Sequence, residues 1–298
     1  RGDDIEIRTL YSFLCAAREG NITKAAEKLH LSQPALSRQL AALEDEVGTL
    51  LLIRGKRHLQ LTEAGMLLRR RAEEILALVD KTEKELLDQS ESLSGTLSIG
   101  AAECEAARVL LPQLVKRFHQ LHPQVTYAFT SGTADLIRDR IDSGLLDFGI
   151  LMEPVDLERY DFVRLPFFEE WGALVSVHAP LAQKGSLRPR DLESIPLIYS
   201  GRTIVQNEIN SWLQDSADRL TILATYDLIS NAVSFAADDL GAVIVSRGAY
   251  GTHQDERVRF LPFAPTRRTG TVLVWKKHQL LSPLLNRFLE QVYHYLDA

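Results

Sequence analysis

Ser32, Gln33, Pro34, Ser37 and Arg38 set a hydroxyl pair, an amide and a guanidinium among small neighbours in one short run. Gln and Arg side chains match the hydrogen-bonding edges of adenine and guanine, and short side chains let a helix backbone come close to a duplex. Two other runs have a different chemistry. Ser131-Gly132-Thr133 and Ser200-Gly201-Arg202-Thr203 offer hydroxyls, bare amides and a guanidinium, a set that can converge on an anion such as a carboxylate. The same Ser, Thr and Gly residues also suit the caps of helices that follow them, and the two roles are compatible.

The first group needs a helix to carry it, and Asn21 to Leu40 supplies two. Ile22, Ala25, Ala26 and Leu29 recur at helical spacing, with Lys24, Glu27 and Lys28 on the other face. His30-Leu31-Ser32 forms the corner, Ser32 caps the next turn, and Pro34 fits a first turn whose amides have no helical partner. The second helix buries Ala35, Leu36, Leu40 and Leu43, leaving Gln33, Pro34, Ser37, Arg38 and Ala41 on a polar, cationic face. That pattern is shared with a plain helical hairpin whose outer face is solvated. Ile7 to Ala17 precedes it as a packing helix, with Cys15 inside it as a small core residue.

Past the stop at Val47-Gly48, Leu50 to Ile53 and Leu59 to Leu61 flank a basic turn, Arg54 to His58, as two strands of a wing whose tip meets phosphates. The helix-turn-helix with Ala25-Ala26 and Ser32 to Ser37, the wing Leu51 to Arg54, and Leu61-Thr62-Glu63-Ala64-Gly65 together resemble the LysR-type transcriptional regulators. Leu52 stands where that family usually has Phe, an apolar exchange. The resemblance implies a winged helix-turn-helix domain over residues 5–62, with Thr23, Ser32, Gln33, Pro34, Ser37, Arg38 and the wing residues Arg54, Lys56 and Arg57 at double-stranded promoter DNA.

From Thr62 to about Gln89 the chain is free of Pro and rich in Leu, Glu, Lys and Arg, which predicts a long helix over residues 63–90. Leu68, Ala72, Ile75, Val79, Thr82 and Leu86 alternate spacings of four and three, the seam of a helix that pairs with another chain. The other reading of that stripe is a helix lying on its own domain. Pairing would put two reading helices on a two-fold axis, facing two half-sites.

Length and composition allow this. The 298 residues suffice for about two domains, and 45% apolar content is ample for their cores. No stretch is long and apolar enough to span a membrane, and the first apolar run is broken by Arg8, Arg18 and Glu19, so neither a membrane nor a secretory signal is expected. Two cysteines fit a reducing cytoplasm, where we expect the protein. The net charge of −6 is compatible with DNA binding if the cations cluster on one face.

After Glu91 to Gly95 the pattern becomes strand, helix, strand, helix, strand, which predicts βαβ units and a largely parallel sheet. Two α/β lobes, about 95–155 with 268–298 and about 160–265, would be joined by crossovers at Met152 to Asp161 and Leu261 to Gly270. This half is similar to the LysR effector domain, itself like periplasmic binding proteins. Its markers are Gly95 to Gly100, Leu111-Pro112, Phe118 and Leu146-Asp147-Phe148. The expected fold is therefore α/β, with an N-terminal winged helix-turn-helix dominated by helices and a two-lobed effector domain over residues 95–298.

In such sheets ligands sit at the carboxyl ends of strands. Carried over, this puts Ala102, Glu103, Cys104, Ser131, Gly132, Thr133, Glu153, Ser200, Arg202, Thr203, Tyr226 and Val245 at the cleft. Ala102 to Glu105 stands where relatives often carry Ser or Thr, so Glu103 or Glu105 can fill an anion position, or Glu103 or Glu153 can pair with an amine on the effector. Cys104 admits a thiol redox reading, but the second cysteine, Cys15, is in the other domain. No GxSxG, Walker A, GxGxxG or HExxH motif is present and the eight His lack metal spacing, so no enzyme, cofactor or metal is expected. A solute-binding protein would share the second half but not the helix-turn-helix. The resemblance implies a small-molecule effector, a homodimer or homotetramer, and contact with RNA polymerase as a further partner.

Overall fold

The computed structural model describes residues 5–54, 59–87, 93–213, 219–251, 253–279 and 281–297. Its contacts divide the chain into two compact units, Arg1–Leu87 and Asp88–Ala298. Lys56 and Arg57 lie outside the described residues, as do the side chains of Arg54 and Leu86.

In the first unit, α1 (Ile7–Glu19) stops at Gly20, whose φ of 58° is the left-handed conformation that ends helices. Asn21 then caps α2 (Ile22–Lys28) by accepting from the Lys24 amide at 3.1 Å. His30, at φ 55°, turns the corner, and the Ser32 hydroxyl accepts from the Ala35 amide at 3.3 Å to start α3 (Gln33–Val47). Phe13, Leu36, Leu40 and Leu43 are fully buried where α1, α2 and α3 meet. The wing strands β1 (Leu52–Arg54) and β2 (Leu59–Leu61) pair antiparallel, Leu52 opposite Leu61.

The long helix α4 (Glu63–Leu87) begins beneath the wing. Gly65 is needed there because a Cβ would lie 2.1 Å from the Leu51 carbonyl oxygen. The seam expected along α4 needs a correction. Ala72 is fully buried and Leu68 and Leu76 pack with it into the unit's own core, so spacing of four turns this stripe inward against α1. Ile75, 41% exposed, lies off that stripe, and Val79 is half-buried.

In the second unit, nine strands among the described residues form one sheet, the first lobe's strands at one end and the second lobe's at the other. The first lobe holds β3 (Gly95–Ala101), α5 (Leu111–Leu121), β4 (Val125–Ser131), α6 (Ala134–Asp142) and β5 (Phe148–Met152). A π-helical turn, Ala106–Leu110, leads into α5. The chain then crosses on β6 (Tyr160–Ser176). The second lobe holds β7 (Pro196–Ser200), α7 (Thr203–Leu213), β8 (Thr221–Tyr226), α8 (Ile229–Ala237), β9 (Ala242–Ser246), α9 (Arg247–Gly251) and β10 (Val258–Pro262). The return is β11 (Arg268–Lys276), followed by α10 (Pro283–Leu296) on the first lobe's core.

The outer strands β4, β3 and β5, and β9, β7 and β8, pair parallel, as their apolar runs predict. The centre does not. Both crossing strands run antiparallel to their neighbours, β11 against β5 and β6, and β6 against β9 and β10. Tyr160 to Ser176, which opens the second lobe just past the expected crossover, is one 17-residue strand. Pro166 hides it in the sequence, but the pairing with β11 slips between Gly270 and Thr271, and Pro166 falls in that irregularity, where no ladder donor is missed.

Candidate functional site

Two places in the molecule gather the chemistry read from the sequence. In the first unit, α3 turns Gln33, Pro34 and Arg38 to solvent with Thr23 of α2, while Ser37 is half-buried. Arg38 Nε donates to the Pro34 carbonyl at 3.4 Å, which holds its guanidinium along the first turn of α3. The wing is fixed to α3 by Glu44, which the sequence reading missed. Its buried Oε1 accepts from the amides of Leu51 at 2.8 Å and Leu52 at 2.9 Å. The Leu59 amide donates to the Gly20 carbonyl at 2.8 Å, so the other wing strand is tied to the end of α1.

In the second unit, the carboxyl ends of β3, β4, β5, β7, β8 and β9 converge between the lobes, the place where open α/β sheets hold ligands. The cavity there measures about 60 Å³. That is room for about two waters and well below the several hundred Å³ of ordinary ligand pockets. Ala102, Glu103, Gly132, Thr133, Ser200, Arg202, Tyr226 and Val245 line it. Trp171 of β6 also lines it, with its indole N–H on the Thr269 hydroxyl at 3.1 Å.

Polar links from one lobe to the other narrow the space. Glu103 accepts from the Ile229 amide at the start of α8 at 2.9 Å, and its other oxygen is 3.7 Å from His253 Nδ1. Arg202 Nε reaches Asp135 Oδ2 at 3.1 Å. Tyr226 donates to the Ile244 carbonyl at 2.7 Å, and burial, then the Glu103 charge, push its phenol well above the usual range. Deeper, Glu169 on β6 is 1% exposed and accepts from the amides of Glu105 in one lobe and Gly248 in the other. Burial raises its pKa, although those amides and the Ser246 hydroxyl pull the other way. Gly248 permits the approach, since a Cβ would lie 2.4 Å from both the Glu105 nitrogen and the Glu169 carboxylate.

Four residues expected at the cleft do not line this cavity. Cys104 is fully buried in the first lobe's core, because the chain turns inward before the π-helical turn. Burial pushes its thiol up to about 12, so at neutral pH it is a protonated, inaccessible thiol and a poor redox centre. Ser131 is exposed at the end of β4, and Thr203 is exposed on the first turn of α7. Glu153 packs over Gly270 on the crossing strand, its side chain paired with Arg164 at 3.3 Å.

The model of the bacterial regulatory helix-turn-helix protein, lysR family, matches residues 7–66, and that of the LysR substrate binding domain matches residues 90–297. The chain belongs to the LysR family. It is 31% identical over 240 residues to the probable RuBisCO transcriptional regulator of Chlorokybus atmophyticus, covering 78% of this chain and 76% of the relative. It is 27% identical over 292 residues, 96% of each chain, to the Hca operon transcriptional activator HcaR of Escherichia coli (strain K12). The full-length structure of CbnR with its target DNA superposes with a TM-score of 0.75 at 23% identity, covering 97% of this chain and 99% of that one, a likeness of fold.

This LysR chain is thus a DNA-binding transcription regulator with a helix-turn-helix domain and an effector-binding domain of the family's kind. Sequence reasoning overlooked Trp171, Ala134, Val205, Leu228, Ile229 and Ala249 among the cavity's lining residues. Trp171 stands in no local motif that would mark it as a lining residue. Ile229 contributes its backbone amide, which no side-chain motif announces. Among the described residues no helix is long and apolar enough to cross a membrane.

Proposed function

We propose that this regulator reads promoter inverted repeats as a homodimer or homotetramer and is switched by a small molecule held between the lobes of its second unit. Gln33, Ser37 and Arg38 contact bases or the backbone beside them, with Thr23, Ser32 and Pro34 positioning α3. Arg54, Lys56 and Arg57 of the wing contact phosphates. Ile75, Val79 and Leu86 of α4 form the pairing seam. A bound effector changes the angle between lobes, and through it the spacing of the DNA-binding units and the bend of the promoter. RNA polymerase then meets a promoter of altered geometry, in the cytoplasm where that promoter lies.

The observation that carries the effector reading is the convergence of six strand ends on one cavity, with Arg202 and the head of α8 as its donors. The test is a thermal-shift screen of small carboxylates, amines and ring compounds on the full-length protein, with Arg202→Ala alongside, followed by promoter footprinting with each binder. The expected result is a compound that stabilises the wild type more than Arg202→Ala and alters the footprint. Compounds that bind the cleft and leave the footprint unchanged would count against the switch.

A further inference from the structure

Two donors that one lobe offers to the cleft are taken up by carboxylates of the other lobe. At the head of the nine-residue α8, the Ile229 amide is held by Glu103 Oε2 at 2.9 Å. The Arg202 guanidinium, its side chain 15% exposed, is held by Asp135 Oδ2 at 3.1 Å. The cavity lined by Glu103, Arg202 and Ile229 is about 60 Å³. Glu103 and Asp135 therefore sit where an anion entering between the lobes would find its donors.

We propose that Glu103 and Asp135 are a built-in counter-ligand: their tethered carboxylates close the cleft in the absence of effector, and the effector is a small carboxylate or similar anion that replaces them. This rests on the cleft being the effector site.

Hydrogen-bond accounting favours an anion over a cation. An anion exchanges like for like: each donor keeps an acceptor, and Asp135, whose side chain is 57% exposed, turns to water at little cost. A cation drawing off Glu103 and Asp135 would leave the Ile229 amide and Arg202 without acceptors in a half-closed space, which is the expensive outcome. Glu103, at 17% exposure, is the more enclosed of the two and the stronger part of the closure. Tethering also gives the internal groups a high effective concentration, so an effector succeeds only if it makes contacts beyond its carboxylate, such as with Trp171 or Met152 of the lining.

The test is chemical rescue on the full-length protein, with sodium acetate as the probe and sodium chloride at equal ionic strength as the control. Glu103→Ala removes the tethered carboxylate and leaves its space open. Its midpoint of thermal unfolding should fall below that of the wild type and be restored saturably by acetate, by about 3 °C at ten times the dissociation constant. The wild type and Glu103→Gln, which keeps a carbonyl acceptor, should respond to acetate no more than to chloride. Asp135→Asn, an exposed change that leaves the first lobe's core untouched, gives a second reading: it should also gain a specific acetate response, now abolished by Arg202→Ala.

Equal responses to acetate and chloride in both Glu103→Ala and Asp135→Asn would overturn the proposal. If they occur while screened effectors still change the promoter footprint, the counter-ligand fails alone and the effector cleft stands. If acetate rescues the variants but no anion that occupies the cleft changes the footprint, the counter-ligand holds as a structural closure and the switch reading fails.

Discussion

Glu44 and Glu169 are acids in places that acids normally avoid, and each is there because backbone amides from another segment point at it. Glu44 holds Leu51 and Leu52, so its truncation strands two buried donors, at about 1–3 kcal/mol each. Glu44→Ala is expected to lower the urea midpoint of the first unit, followed by circular dichroism, and to weaken promoter binding by loosening the wing. Glu169 has a raised pKa from burial, so the folded state holds its proton to higher pH than the unfolded chain does. Its titration thus adds stability that is full below the ordinary glutamate pKa and is lost as pH rises through the folded value. The unfolding free energy of the wild type minus that of Glu169→Gln should accordingly fall with rising pH across that window. A difference that grows with pH in a urea titration series would show the sign to be wrong.

Neither role was legible from the sequence, since Glu44 reads as the polar side of an amphipathic helix and Glu169 as half of an acidic pair before Trp171. What was legible at this scale was chemistry announced by local spacing. Asn21 and Ser32 cap as their types require, and Thr133 caps α6 by accepting from the Leu136 amide at 3.3 Å. Residues that act across sixty or more positions, such as Glu103 on Ile229 or Arg202 on Asp135, leave no periodic trace.

At the scale of elements, the proposed reading gives α3 and the wing separable tasks. Substituting Arg38 or Gln33 by Ala should cost about 1–3 kcal/mol on the preferred site and relax preference at the base concerned. Arg54→Ala, Lys56→Ala and Arg57→Ala should weaken all sequences alike and each reduce the salt slope of binding by about one. Fluorescence anisotropy on matched and scrambled duplexes over a salt series separates the two, and identical effects from both groups would dissolve the division.

The helix α4 shows why period alone misassigned part of a seam. Leu68, Ala72 and Leu76 at steps of four form an inward stripe, whereas Ile75 and Val79 lie off it. A heptad pattern read across both stripes merges a packing face with the face proposed for pairing. Val79→Asp with Ile75→Asp should therefore leave the first unit folded and convert the oligomer to monomers in sedimentation velocity. Unchanged sedimentation would place the pairing surface elsewhere. The strand β6 was hidden for the opposite reason: a Pro that breaks most strands falls where the pairing with β11 slips and no donor is needed.

For the molecule as a whole, the order of elements was readable because each lobe is built from local βαβ units whose apolar runs alternate with amphipathic helices. The crossing strands were not, because β6 and β11 obtain their partners from opposite ends of the domain, with Trp275 opposite Asp161 and Arg268 opposite Glu170. That arrangement places Trp171 and Glu169 where the lobes meet.

The central claim is that two α3 helices of one assembly read an interrupted inverted repeat. The most direct measurement is selection of genomic fragments by the purified full-length protein at a fixed, stated salt concentration, followed by sequencing, with the Arg38→Ala variant in parallel. The account predicts enrichment of a few promoter fragments that share half-sites about one helical turn apart or a multiple of it, and loss of that enrichment in the variant. Fragments enriched without any shared repeat, or enriched equally by Arg38→Ala, would contradict it.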